Sequence, residues 1–294
     1  MITLYRPSGY DSPRASSFAG RSVDDKPLDV ENGSLFKEID TGRVFRYDKE
    51  NNIWIEQKST TGGTGATEPY IEETYDADGN LIEAKLYGYT KIRGYAFGKC
   101  TSLAHVSFSE GLTSIGEFAF SDCTSLALTS LPEGLTSIGK YAFGGCTSLA
   151  LTSLPNGLTS IGWDTFSSCT SLALTSLPAG VTSIGGNAFR GCTSLALTSL
   201  PAGVTSIGNN TFSSCTSLAL TSLPEGLTSI GKYAFANCTS LTSITFKSTP
   251  TTITSGAFDG CTNLTDIKVP WAEGAVANAP WGATNATITY NYTE

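Results

Sequence analysis

The chain has 294 residues, and only 15% of them are charged, well below the roughly 25% of an average soluble protein. A formal net charge of −8 argues against non-specific nucleic-acid binding, which needs a basic surface. No apolar run approaches the length of a membrane-crossing helix, and the opening MITLYRPSGYDSPRASSFAG has no apolar stretch behind a basic end, so neither membrane insertion nor a secretory leader is expected.

In chain order, residues 1–57 are expected to form a small β-meander and attachment segment. Residues 1–30 hold too few apolar side chains for a core and are expected to order against a partner. GSLFKEID, RVFRYDKENN and IWIEQ alternate apolar and polar positions around tight turns, which predicts three short strands. This region resembles short N-terminal segments of bacteriophage and prophage structural proteins, and the resemblance implies attachment to a particle. Residues 58–68, KSTTGGTGATE, have the composition of a flexible linker. Residues 69–99 are expected to supply an N-terminal cap hairpin and a first degenerate repeat. YIEETYDADGNLIEAKLYG reads as two strands around an Asp78-Gly79-Asn80 turn. Its carboxylates lack the spacing of a calcium loop.

From residue 100 to 270 the sequence repeats. Cysteines stand at Cys100, Cys123, Cys146, Cys169, Cys192, Cys215, Cys238 and Cys261, and every gap is 23 residues. Five middle units read C-T-S-L-A-L-T-S-L-P-x-G-(L/V)-T-S-I-G-x-x-(A/T)-F-x-x. Leu follows each Cys by three positions, and Phe recurs at 97, 120, 143, 166, 189, 212, 235 and 258 with Ile five residues before it. A residue that recurs once per coil stacks on its own copy in the next coil, so these columns close into a core that no single unit can build alone. The even cysteine count then reflects the number of repeats. The expected state is a reduced, buried ladder of eight thiols, because the thiol is small and readily buried. Disulfides between adjacent coils are the minor alternative. Zinc is not expected, since no C-x-x-C pair exists and His105 is the only histidine.

The unit resembles the leucine-rich repeats of BspA-like bacterial surface proteins, in which Leu, Pro, Ile-Gly, Ala-Phe and Cys fall in the same register. The resemblance spans about residues 87 to 270. It implies a leucine-rich-repeat solenoid, curved and right-handed, with three parts to each repeat. These are a short strand near Leu126 to Leu131 on the concave side, an extended segment at Leu135 to Ile138, and a single helical turn at Ala142-Phe143. One departure stands out. The family's inward apolar residue six after Cys is present as Val106, Ile244 and Ile267 but is Thr129, Thr152, Thr175, Thr198 and Thr221 in the middle units. An extra leucine comes one residue earlier, at Leu128, Leu151, Leu174, Leu197 and Leu220. Either a local bulge turns these leucines inward or they form an exposed stripe. The inward arrangement is favoured, because large exposed apolar stripes are rare in soluble monomers. Residues 271–294 are expected to cap the last coil with Trp271 and Trp281, a short helix over Ala272 to Ala279, and an edge strand from Thr287 to Tyr292.

Chemistry leaves little trace. One histidine supports no nucleophile-base set, there is no phosphate-binding glycine loop, and the recurrent Thr-Ser pairs fit strand and turn surface. No enzyme activity and no cofactor or metal are therefore expected. Variation among the near-identical middle units collects after Pro, after Ile-Gly and after Phe. The pairs after Ile-Gly hold Lys140, Tyr141, Trp163, Asp164, Asn187, Asn209, Asn210, Lys232 and Tyr233. These are the candidate binding residues, placed on one edge of the solenoid; the alternative is drift at unconstrained loops. Trp163 favours binding, since exposed tryptophan is enriched at recognition hot spots. Between Cys123 and Asn237 the six charges, Glu133, Lys140, Asp164, Arg190, Glu225 and Lys232, cancel. That balance suits a protein or glycan ligand better than nucleic acid. The expected role is a binding or adhesion module on a virion or bacterial surface, with a pure structural spacer as the alternative.

Overall fold

The computed structural model describes residues 69–293 in full and, before them, the backbone of four short strands. Three of these are the strands expected of the meander. Leu35–Glu38 runs antiparallel to Val44–Asp48, which runs antiparallel to Ile53–Glu56. Ser17–Gly20 adds a parallel partner to Leu35–Glu38 that the sequence did not announce. The linker at 58–68 lies outside the described residues.

The repeats build a β-solenoid of about nine coils. The two-residue strands Ser114–Ile115, Ser137–Ile138, Ser160–Ile161, Ser183–Ile184, Ser206–Ile207 and Ser229–Ile230 occupy one position in successive coils. Neighbours pair in parallel one repeat apart, Ile on Ile, as in Ile184 with Ile207 and Ile207 with Ile230. This is the extended Leu135 to Ile138 segment expected from sequence. The ladder breaks once, because Ser137–Ile138 and Ser160–Ile161 belong to separate sheets. At that seam Thr165 stands where most coils have Ala, and its hydroxyl donates to the carbonyl of Gly139 at 3.3 Å.

Inside the coils the columns close as expected. Phe97 through Phe258 stack face to face, with centroids 5.2 to 5.7 Å apart and ring planes within 13°. Leu103 through Leu264 and Ile92 through Ile253 are buried beside them. The Leu128, Leu151, Leu174, Leu197 and Leu220 column is buried too, which settles the choice between inward and exposed. Turning those leucines in has a cost to regular structure. Leu128 and Leu131 are buried with Thr129 and Ser130 both exposed between them, a spacing that a strand of period two cannot satisfy. The strand expected near Leu126 to Leu131 therefore does not form in that coil. Where Val or Ile restores alternation, strands appear at His105–Ser107, Ser243–Phe246 and Asp266–Lys268.

The expected helical turn at Ala142-Phe143 is also absent. Amides donate three residues back, from Ala142 to Gly139, Gly144 to Tyr141 and Cys146 to Phe143. Left-handed backbone at Tyr141 (φ 54°) and Gly145 (φ 78°) stops these turns from joining into a helix. The alternate amides of Tyr141, Phe143 and Gly145 instead donate forward to Trp163, Thr165 and Ser167 of the next coil. The same break removes the expected helix at Ala272 to Ala279, where Gly274 (φ 83°) and Asn278 (φ 66°) turn left-handed. Capping is by aromatic packing. Trp271 and Trp281 are buried, 6.4 Å apart, and both contact Phe246. Thr287–Thr289 closes the end as a strand parallel to Asp266–Lys268.

Candidate functional site

The candidate residues fall in two adjacent columns along one edge. The outer column runs Lys140, Trp163, Gly186, Asn209, Lys232, and the inner one Tyr141, Asp164, Asn187, Asn210, Tyr233. Every inner residue has positive φ, between 52° and 57°. Most side chains avoid this region; Asn, Asp and Gly enter it at least cost. The choice at Asp164, Asn187 and Asn210 therefore follows from the backbone, whereas bulky Tyr141 and Tyr233 are held there against that preference.

The upstream part of the inner column is an aromatic ladder. Tyr95 stacks on Phe118 at 4.8 Å and Phe118 on Tyr141 at 4.7 Å, each pair within 6° of parallel. The ladder stops at Asp164, which is buried. Its carboxylate accepts from the Asn187 amide at 3.2 Å and bonds the Tyr141 phenol, raising that phenol's pKa above its usual value. Asp164 thus sits beneath the surface as an orienting group. Beyond Asn187 and Asn210 the column becomes aromatic again at Tyr233, with the Lys232 ammonium 4.8 Å from its ring centroid. In the outer column, Asn209 accepts the Lys232 backbone amide at 2.8 Å. A Cβ at Gly186 would come within 3.3 Å of the Trp163 ring, so the indole lies over the Gly186 backbone with 53% of the residue exposed. Of the five exposed large hydrophobic residues among those described, four lie on this edge: Tyr95, Tyr141, Trp163 and Tyr233. Tyr95 was missed in the sequence because it lies upstream of the near-identical units whose differences were compared.

Seven of the eight cysteines stand in an interior ladder, and the first lies at its edge. Cys123 to Cys261 are buried, Cys100 is half-buried, and all eight are free thiols. Each thiol from Cys123 onward donates to the carbonyl of the Phe in the preceding coil, as Cys169 does to Phe143 at 3.0 Å. That carbonyl also accepts the amide of Cys146, so one oxygen with two lone pairs ties two coils together. Burial pushes the thiols up, Cys146 to about 12 and Cys261 to about 11. Among the described residues no cluster of His, Cys, Asp or Glu is arranged to hold a metal ion, and no helix is long and apolar enough to cross a membrane.

The family model of the BspA type leucine-rich repeat region matches in six copies over residues 75–196 and 182–274. That is more than half of the chain, and the protein belongs to this family. Solved structures with a similar course include a leucine-rich-repeat protein of T. pallidum, at 30% identity over 66% of this chain and 87% of that one, with a TM-score of 0.43. A leucine-rich-repeat protein of Bacteroides ovatus matches at 21% identity over 74% of this chain and 75% of that one, with a TM-score of 0.45. A leucine-rich cell surface protein of Faecalibacterium prausnitzii matches at 24% identity over 92% and 96%, with a TM-score of 0.39. No curated protein matches the chain.

Proposed function

We propose that this protein is a non-enzymatic recognition module, displayed on a bacterial or virion surface, that binds a protein or glycan through the edge lined by Tyr141, Trp163, Asn187, Asn209 and Tyr233. The N-terminal segment is the proposed attachment. The observation that carries the reading is the concentration of exposed aromatic residues on that one edge, with Trp163 the most exposed. Exposed tryptophan and tyrosine set in rigid surroundings are the usual anchors of binding energy. Membership of the BspA-type family and the cell-surface description of the Faecalibacterium prausnitzii protein agree with display at a surface.

The test compares binding of the intact chain to immobilised matrix proteins and mucin glycoproteins with that of Trp163→Ala and Tyr141→Gly. Glycine at 141 keeps the left-handed backbone, so a loss reports the ring. Thr152→Ala, an exposed change on the Thr-Ser-Leu-Pro side, is the control. Binding that survives both edge variants and falls with the control would place recognition elsewhere on the solenoid.

A further inference from the structure

Tyr95, Phe118 and Tyr141 show how rings stand in the inner column: parallel, faces turned along the solenoid axis. Three short side chains, Asp164, Asn187 and Asn210, then interrupt the column before Tyr233. Tyr141 and Tyr233 are four coils apart, about 19 Å at the ~4.8 Å spacing of stacked strands. The result is a notch with an aromatic wall at Tyr141, a second ring at Tyr233, and the amides of Asn187 and Asn210 along its floor, with the buried Asp164 carboxylate beneath holding the Asn187 amide. Trp163, whose ring lies against Gly186, flanks the floor in the outer column, which continues to Asn209.

We propose that this notch binds a neutral glycan chain laid along the solenoid axis, with successive sugars over successive coils. This rests on the edge being the recognition surface and names the ligand class. Three observations favour sugar over a peptide. Exposed large hydrophobic residues on the edge are all aromatic, and a ring face packs against the C–H face of a pyranose while its rim stays wet. The floor supplies amide donors and acceptors on successive coils at Asn187 and Asn210, which matches a ligand carrying hydroxyls on every unit. The floor column holds no cation to receive an acidic sugar: Lys140 and Lys232 stand at its two ends in the outer column.

The experiment follows the intrinsic fluorescence of the intact chain while neutral oligosaccharides are added: gluco-, N-acetylgluco-, manno- and galacto-oligomers of increasing length, with sialylated and uronic-acid oligomers in parallel. Of the four tryptophans, Trp271 and Trp281 are buried in the cap and Trp54 lies in the N-terminal segment, and Trp54→Phe in the parent chain leaves Trp163 as the reporter on the edge. The expected result is a saturable change with one neutral series. Affinity should rise with length up to about four sugars, the span of the notch at one sugar per ~4.8 Å coil. It should change little with salt and drop at least tenfold in Tyr141→Gly and Tyr233→Gly, read in the same fluorescence; calorimetry would show the same loss in Trp163→Ala. No saturable binding by any neutral series overturns the proposal. So does preference for the acidic series with steep salt dependence, or glycan binding that the edge variants leave intact. If the chain binds only immobilised proteins, and the edge variants abolish that, the recognition edge stands and the glycan assignment falls.

Discussion

At the scale of single residues, cysteine is specified by two demands that few side chains meet together. It must fill a small, dry site, and it must donate to a Phe carbonyl in the coil before. Cys169→Ala removes the donor and leaves a small void, and is expected to cost about 1–2 kcal/mol, read as a lower urea midpoint. Thiol accounting tests the ladder as a whole. In the native protein without reductant, Cys100 alone should react, and slowly, because burial followed by the nearby Glu73 carboxylate raises its pKa. All eight should react once the chain is denatured. Fewer than eight after denaturation would mean cross-linked coils and would contradict the free thiols described above. The same residues set an alkaline limit. Below pH 9, the ordinary thiol value, Cys146 is protonated in both states and its contribution does not change. Above that pH the unfolded chain loses protons that the native coil retains, up to about 11 for Cys261 and about 12 for Cys146. Stability should therefore fall between pH 9 and 12, by roughly 1 kcal/mol per pH unit for each such thiol. Urea midpoints measured across that range should decline less steeply for Cys146→Ala than for the parent chain; equal slopes would remove the thiols as the cause.

At the scale of the element, each coil is a compromise between strand pairing and core filling. Leu151 is fully buried in a segment that makes no strand, so its packing and not its backbone pairing holds that side of the coil. Leu151→Ala is expected to cost about 2–5 kcal/mol, measured by thermal or urea unfolding, whereas Thr152→Ala beside it should cost little. The reverse ranking would mean that the exposed hydroxyls carry this side of the coil. This is also where the sequence was read least well. The Phe, Leu, Ile and Cys columns were legible because each recurs in register, and stacking admits no other arrangement. The strand near Leu126 to Leu131 was carried over from the family pattern, although the shift of leucine from 129 to 128 already contradicts a period of two. The helical turn failed for a different reason. The residue two after Ile-Gly and the residue before Cys are left-handed in coil after coil, as at Asn187 and Gly191 or Asn210 and Ser214. The signal was present as a preference for Gly, Asn, Asp and Ser, but Tyr141 and Tyr233 mask it. The candidate edge was legible as variation between near copies, yet nothing in the letters distinguishes the buried Asp164 from the exposed Trp163 beside it.

For the whole molecule, stability is carried between neighbours, and the hydroxyl ladders show how regular that coupling is. Thr124, Thr147, Thr170, Thr193 and Thr216 each donate to the carbonyl of the threonine one coil back, at 3.1 to 3.3 Å. Gly116, Gly139, Gly185, Gly208 and Gly231 sit where any Cβ would press on the backbone of the preceding coil. A Cβ on Gly185 would come within 2.7 Å of the Trp163 amide nitrogen, so the coils cannot close with a larger residue there. Such an array behaves as a one-dimensional stack in which each coil contacts only its neighbours. Excising one whole unit, residues 170–192, rejoins Cys169 to Thr193 and keeps every column in register. The shortened chain is expected to fold with the same far-ultraviolet circular dichroism per residue and to unfold cooperatively. Its urea m-value should fall by about a tenth, in proportion to the surface no longer buried. Removing residues 170–191 instead puts the coils on the two sides of the joint one position out of register, which sets Phe212 against a neighbour of Phe166 and misaligns the Cys215 thiol from the carbonyl it would need there. That chain should lose far more stability than the longer excision, despite retaining one more residue. Equal stability for the two would show that the columns do not hold the solenoid together.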